Sequence, residues 1–251
     1  MAVGRVFGRA FAAARHNWAP TLAVTLLFAG LPLVIAYYAM AQVPWQYMVV
    51  TIGSIYLPGA FANGVARWFI SLLLGVIAQG AMTRLVVAAG EGRKATVGES
   101  LAAASRTALP LTIMGAVIGV SVIIGTSLLL IPGLLIFALW ATAPSIEADE
   151  REGVFLALSR SQELAEGARW KVLAIVLLLL GLSILFLFLS GLLSGLLFLN
   201  GMASLSGQIA IRVAVSTIMN AFWGAVLASL YVELKQWQEG DSVESLGEVF
   251  A

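Results

Sequence analysis

The chain has 251 residues, of which 61% are hydrophobic and only 11% charged, with a mean hydropathy of +0.98. An ordinary soluble domain carries about 25% charged residues, so too little polar surface is present to cover a water-soluble globule. The chain contains no cysteine, which excludes disulfides, thiolate metal sites and a cysteine nucleophile, and a net charge of +1 gives no general attraction for nucleic acid.

The positions of the charges carry the organisation. No Lys, Arg, Asp or Glu occurs between Arg15 and Arg67, Arg67 and Arg84, Arg106 and Glu147, Lys171 and Arg212, or Arg212 and Glu233. A helix needs about 20 apolar residues to cross a bilayer, and the gap after Arg106 is long enough for two. In chain order, spans are expected at about 20 to 42, 67 to 89, two around a turn at Ile131-Pro132-Gly133, then 171 to 197 and 209 to 232. The fold class that follows is an all-α integral membrane protein of six transmembrane helices, paired as three hairpins, each preceded by a cytoplasmic amphipathic surface helix.

This arrangement puts twelve of the fourteen basic residues and all thirteen acids on one side, leaving Arg67 and Arg212 toward the other. The excess of Lys and Arg on one side places both termini in the cytoplasm. The far side holds Tyr37, Tyr38, Trp45, Tyr47, Tyr56 and Trp68, an aromatic belt at the headgroup level with a binding site as the alternative. The first 41 residues carry Arg5, Arg9, Arg15 and an Ala39-Met40-Ala41 pattern like a secretory signal. Their basic region is too long and their apolar run long enough to span, so they read as a retained helix.

Three surface helices are expected. In the first, Val3, Val6, Phe7, Ala10, Phe11, Ala14 and Trp18 form an apolar stripe with Arg5, Arg9, Arg15 and His16 off it. The second starts with a capping box, Thr96-Val97-Gly98-Glu99, and ends where Pro110 begins the third span. The third runs from Val154 through Phe155, Leu158, Gln162 and Ala165 to Trp170. Glu91-Gly92, Glu152-Gly153 and Glu239-Gly240 follow the hairpins in turn. The chain thus reads as one membrane domain, 1–251, of three pseudo-repeats (1–92, 93–153 and 154–240) and a tail from 241. The proline-bounded insertion at 43 to 65 is expected to form a short helix on the outer leaflet. In the tail, Val243, Leu246, Val249 and Phe250 fall at helical spacing, as in a docking helix or a frayed end.

Ile131-Pro132-Gly133, Ala143-Pro144 through Glu147, Gly153-Val154-Phe155-Leu156-Ala157-Leu158-Ser159-Arg160-Ser161-Gln162-Glu163-Leu164, Trp170-Lys171 and Tyr231-Val232-Glu233-Leu234-Lys235 together resemble the membrane domain of glycerophosphoryl diester phosphodiesterases and its stand-alone bacterial inner-membrane relatives of unknown function. The resemblance covers roughly 95 to 240 and implies a six-span inner-membrane protein. In that family the membrane domain can be joined to a soluble catalytic domain with metal-binding His and acidic residues. No segment here corresponds to that domain, so the resemblance does not carry the phosphodiesterase activity over.

Few residues could carry chemistry. Gln79 and Asn220 fall near mid-membrane and Arg212 near the outer end, where each is a path-lining candidate against a plain hydrogen-bonding or anchoring role. Arg84 reads as a snorkelling anchor at the inner end of its span. Glu147, Arg160, Glu163 and Glu233 are expected to gather at the inner boundary as a structural polar cluster, or, with Arg169 and Lys171, as a contact for a phosphate headgroup or a partner. Arg5, Arg9, Arg15, Arg93, Lys94 and Arg106 are the basic residues placed to meet anionic lipid. Gly115-x3-Gly119 and Gly191-x3-Gly195 serve packing within one chain first and a homo-oligomer second.

With no phosphate loop, nucleophile elbow or clustered acid and base, neither a catalytic residue nor a metal or cofactor site is expected. The expected function is non-enzymatic: a membrane-organising or accessory protein whose partners are membrane lipids, chiefly anionic ones on the cytoplasmic face, rather than nucleic acid, with room for an unidentified protein partner. The alternative is a small transporter or channel with its path between the pseudo-repeats.

Overall fold

A computed structural model of the chain describes residues 2–35, 49–52, 55–200 and 204–249, with side chains described for these except at 49–68, 130, 198, 205 and 239–249. The first helix, α1 (Val3–His16), buries Val6, Ala10 and Ala13 and ends in Arg15 and His16, which face the negative end of its dipole. Asn17 breaks it. The Asn17 amide donates to the Leu85 carbonyl at 3.1 Å, fixing the corner before α2 (Trp18–Thr25) and a π-helical stretch (Leu26–Gly30). That stretch ends two residues before Pro32, which has no N–H to give the preceding turn. Gly30 lets the first span approach the last: a Cβ there would stand 3.0 Å from Thr217 Oγ1.

The outer insertion differs from expectation. Its described part is a two-stranded antiparallel hairpin, β1 (Val49–Ile52) and β2 (Ile55–Pro58), in the register Val49↔Pro58 to Ile52↔Ile55. The β-branched and aromatic content of these eight residues favours strands over the short helix anticipated there. Residues 36–48 and the side chains of Arg67 and of the aromatic belt lie outside the described set.

α3 (Gly59–Gly90) leads to α4 (Val97–Leu128), which opens with the expected capping box: Glu99 N–H donates to Thr96 Oγ1 at 3.2 Å and Thr96 N–H to Glu99 at 3.1 Å. A separate second surface helix is not formed. The residues before Pro110 and the span after it make one 32-residue helix, about 48 Å long at 1.5 Å per residue, so its first turns project beyond a hydrocarbon layer of about 30 Å. Full burial of Leu111 and Met114 just after Pro110 offsets the one backbone bond that proline removes.

The next turn is a single extended residue, Leu129, so Ile131-Pro132-Gly133 lies inside the first turn of α5 (Leu130–Leu139) rather than forming the turn itself. Gly125 and Gly133 make this possible: a Cβ on Gly125 would sit 2.8 Å from Gly133 Cα. The fourth span then breaks at 140–142 and resumes as α6 (Ala143–Glu150), with Pro144 in its first turn and residues Ala143 to Ala148 all buried. α7 (Val154–Leu164) starts where the third surface helix is expected but ends at Leu164, and Trp170, expected to close it, lies in the next helix. α8 (Arg169–Leu199) and α9 (Leu205–Val249) complete the bundle, α9 running unbroken into the tail.

Among the described residues, six helical segments are long and apolar enough to cross a membrane: Trp18–Ile35, Phe69–Gly90, Val97–Leu128, Ile131–Glu150, Arg169–Leu197 and Ser206–Gln238. This is the organisation of a multi-pass membrane protein. The side chains that pack it, including Met82, Leu85, Ile146, Leu164, Ile175 and Leu234, concentrate in the half of the bundle where the charges lie. Toward the other end α8 displays Ile184, Leu187, Phe188 and Leu199 outward, a surface that lipid solvates at no cost.

The break at 140–142 frees backbone carbonyls that hydrocarbon cannot hydrate. Gln79 of α3 donates to the Ala141 carbonyl at 2.8 Å, and Ser161 of α7 to the Leu139 carbonyl at 2.7 Å while meeting Thr142 Oγ1 at 2.9 Å. Gln79→Leu and Ser161→Ala should each lower unfolding free energy by about 1–3 kcal/mol, the cost of an unsatisfied buried acceptor. Denaturation in detergent checks this, with the exposed Ser105→Ala expected to be neutral.

Candidate functional site

The structure does not bring Glu147, Arg160, Glu163 and Glu233 into one cluster. It sorts them into separate groups at the charged end. Glu147, buried at 4% exposure, accepts the Gly153 N–H at 2.8 Å and so holds the loop between α6 and α7. Glu233, buried on α9, binds the start of α1: Arg5 Nε lies at 2.9 Å, Ala2 N–H at 3.2 Å and an Arg9 Nη at 3.9 Å, with Arg9 also donating to Gln236 at 2.8 Å. The Arg5 and Arg9 guanidinium groups are therefore directed to a buried carboxylate of their own chain. Arg160 pairs with Glu163 at 3.5 Å, and Arg169 with Glu166 at 3.2 Å, both on exposed surface beside the exposed Lys171. Arg15, Lys94 and Arg106 are exposed, and Arg93 reaches Glu91 at 3.4 Å and Glu99 at 3.5 Å.

The intramembrane candidates also separate. Gln79 closes the helix break described above, whereas the Asn220 amide donates to the Ser216 carbonyl of its own helix at 2.9 Å. Asn220 and Arg212 line one groove of about 330 Å³ in the sparsely charged half, together with Ser183 and Ser190. An adjoining groove of about 410 Å³ is lined by Phe28, Pro32, Ile70 and Asn220 and is mostly apolar. Gly115 and Gly119 pack on Leu72, Leu73 and Phe69 of α3, which is packing within the chain. Gly191 and Gly195 have no described atom close to where a Cβ would stand.

The strongest polar network was not anticipated. Asp149 and Glu150, at the end of α6, meet Tyr231 and Lys235, one turn apart on α9. Tyr231 Oη donates to either carboxylate, at 2.8 Å to Asp149 and 2.9 Å to Glu150, and Lys235 Nζ reaches Glu150 at 2.7 Å and Asp149 at 3.5 Å. From the other side Arg84 of α3 donates to the Ala148 carbonyl at 2.8 Å and faces Asp149 at 3.8 Å. Three spans are thereby tied at one level by groups that are each less than about one-third exposed. The signal in the sequence is the i, i+4 spacing of Tyr231 and Lys235 and an acid pair directly after an apolar span, but their pairing depends on a helix register that spacing does not contain.

Among the described residues no group of three His, Asp or Glu side chains could hold a metal ion. Comparison with family models, with curated proteins and with solved structures returned no match. What the charged end offers chemically is fixed ion pairs and cations, with one cleft bordered by arginines. Lys235→Met should strand two partly buried carboxylates and lower stability by about 1.5–3 kcal/mol. Because Tyr231→Phe touches the same acids, the double variant should depart from additivity by about 0.5–3 kcal/mol in a double-mutant cycle measured by denaturation.

Proposed function

We propose that the protein is a non-enzymatic, multi-pass protein of a bacterial inner membrane, related to the stand-alone membrane domains it resembles, with its charged end and both termini in the cytoplasm. It organises the inner leaflet, or serves a partner as an accessory module, through the helices at its charged end. One observation supports this reading above the others. α1 and α7 each bury one face against the bundle, through Val6, Ala10 and Ala13 in α1 and Ala157, Leu158 and Leu164 in α7, yet leave Phe11 and Phe155 outward, and the helices that follow them, α2 and α8, carry the exposed Trp18 and Trp170 in their first turns. Phe11 is 62% exposed, Trp18 66%, Phe155 76% and Trp170 81%.

Rings at that level belong in the headgroup layer, where an apolar body and a wet edge are both satisfied. Shielding a ring such as Phe155 from water recovers about 1.5–3 kcal/mol. Arg15, Lys94 and Lys171 stand exposed at the same end, and each cation near an anionic surface adds about 1 kcal/mol. Arg5 and Arg9 add less, being held on Glu233.

The transporter reading has one observation in its favour, the broken fourth span. Against it, the side chain best placed to line a path there, Gln79, is committed to closing the break, and Asn220 and Arg212 belong to a different groove.

The test uses variants retaining only Trp18 or only Trp170, in vesicles whose lipids carry bromine at shallow or deep acyl positions. Shallow bromines should quench both residues more strongly than deep ones. Emission untouched by either set, as for a ring in water, would contradict the lipid reading.

A further inference from the structure

We propose that the cleft between α3, the start of α4 and the end of α6 is a binding site for a phosphate group. The cleft, of about 400 Å³, is bordered by Arg84, Arg93, Arg106 and Arg151 against only Glu91 and Glu99. Both of those acids are already engaged by Arg93, and Glu99 by the Thr96 capping box as well. No acid among the described residues pairs with Arg106 or Arg151. Two positive charges therefore face the cleft without a paired acid among the described residues, one from α4 and one from the end of α6.

A further observation concerns Arg151. Arg151 has φ 55°, in the left-handed region, whereas Gly92, Gly153 and Gly167 fill the other described positive-φ positions. That conformation is cheapest for glycine, so a bulky cation there is a cost to folding that a role for its side chain would explain. Guanidinium groups converging from several sides suit the charge and multiple acceptors of phosphate.

The phosphate can belong to a lipid headgroup or to a free solute. The lipid source rests on the proposed placement of the charged end at the inner leaflet, while phosphate binding in detergent does not, so the two readings fail separately. The full chain in detergent micelles is titrated calorimetrically with inorganic phosphate, with dihexanoyl phosphatidic acid below its micellar concentration, and with dihexanoyl phosphatidylcholine as a zwitterionic comparison. Saturable one-to-one binding of either anion is expected, weakened about tenfold or more by R106Q and by R151G. R212Q, which removes a cation from the opposite end, should bind as the parent does. R151G relieves the left-handed strain, so its thermal stability should be equal or higher, separating lost binding from lost folding. Binding of the phosphatidate alone assigns the site to lipid, and binding of inorganic phosphate assigns it to a free anion. Binding of neither, or equal weakening by R212Q, overturns the proposal.

Discussion

Hydrocarbon can neither donate nor accept a hydrogen bond, and the architecture follows from that constraint. Five of the six spans meet it by helical bonding with local adjustments such as the π-helical stretch at Leu26–Gly30. The fourth breaks at 140–142, and it can do so because Gln79 and Ser161 take over the Ala141 and Leu139 carbonyls. A polar side chain in lipid has few competing partners, so each of these bonds also fixes the position of the helix that supplies it.

The break has a consequence at the charged end. By interrupting the span, it sets α6 deep in the bundle and delivers Glu147, Asp149, Glu150 and Arg151 to three different tasks within a few residues. Glu147 holds the following loop, Asp149 and Glu150 engage Tyr231 and Lys235, and Arg151 turns to the cleft. Glu233, two residues beyond Tyr231, meanwhile clamps the start of α1. Several charges at this end are therefore internal fastenings, while its outward face mixes exposed aromatics with exposed charges.

Much of this was legible from the residues. The number of spans follows from the uncharged gaps, because a charge in hydrocarbon costs several kcal/mol, about 2.5–3.5 even on the mildest scale, and so marks a boundary. The Thr96–Glu99 capping box and the start of α7 after Gly153 follow from local chemistry. The break at 140–142 was not anticipated, although Pro144 just beyond it has no N–H for the Trp140 carbonyl; what local sequence does not contain is the pair of partners, 62 and 22 positions away, that satisfy the Ala141 and Leu139 carbonyls. The candidate cluster failed for a related reason. Tyr231 and its acids lie 82 and 81 residues apart, and Ala2 and Glu233 lie 231 apart, so their pairing depends on how whole helices settle against each other. Pro110 misled because burial of its neighbours outweighs the local preference to end a helix.

Because the chain has no native cysteine, single cysteines placed at Leu129, Glu91, Glu152, Glu166 and Asn200 give an unambiguous map of sidedness with a membrane-impermeant thiol reagent. Six crossings with the charged end in the cytoplasm, as proposed, require the cysteines at 91, 152 and 166 to react only after cells are opened, and those at 129 and 200 to react in intact cells. Reaction of 91 and 152 from opposite sides would mean that the broken α5–α6 segment, with α4, does not complete a pair of crossings, and the account would fail at its foundation.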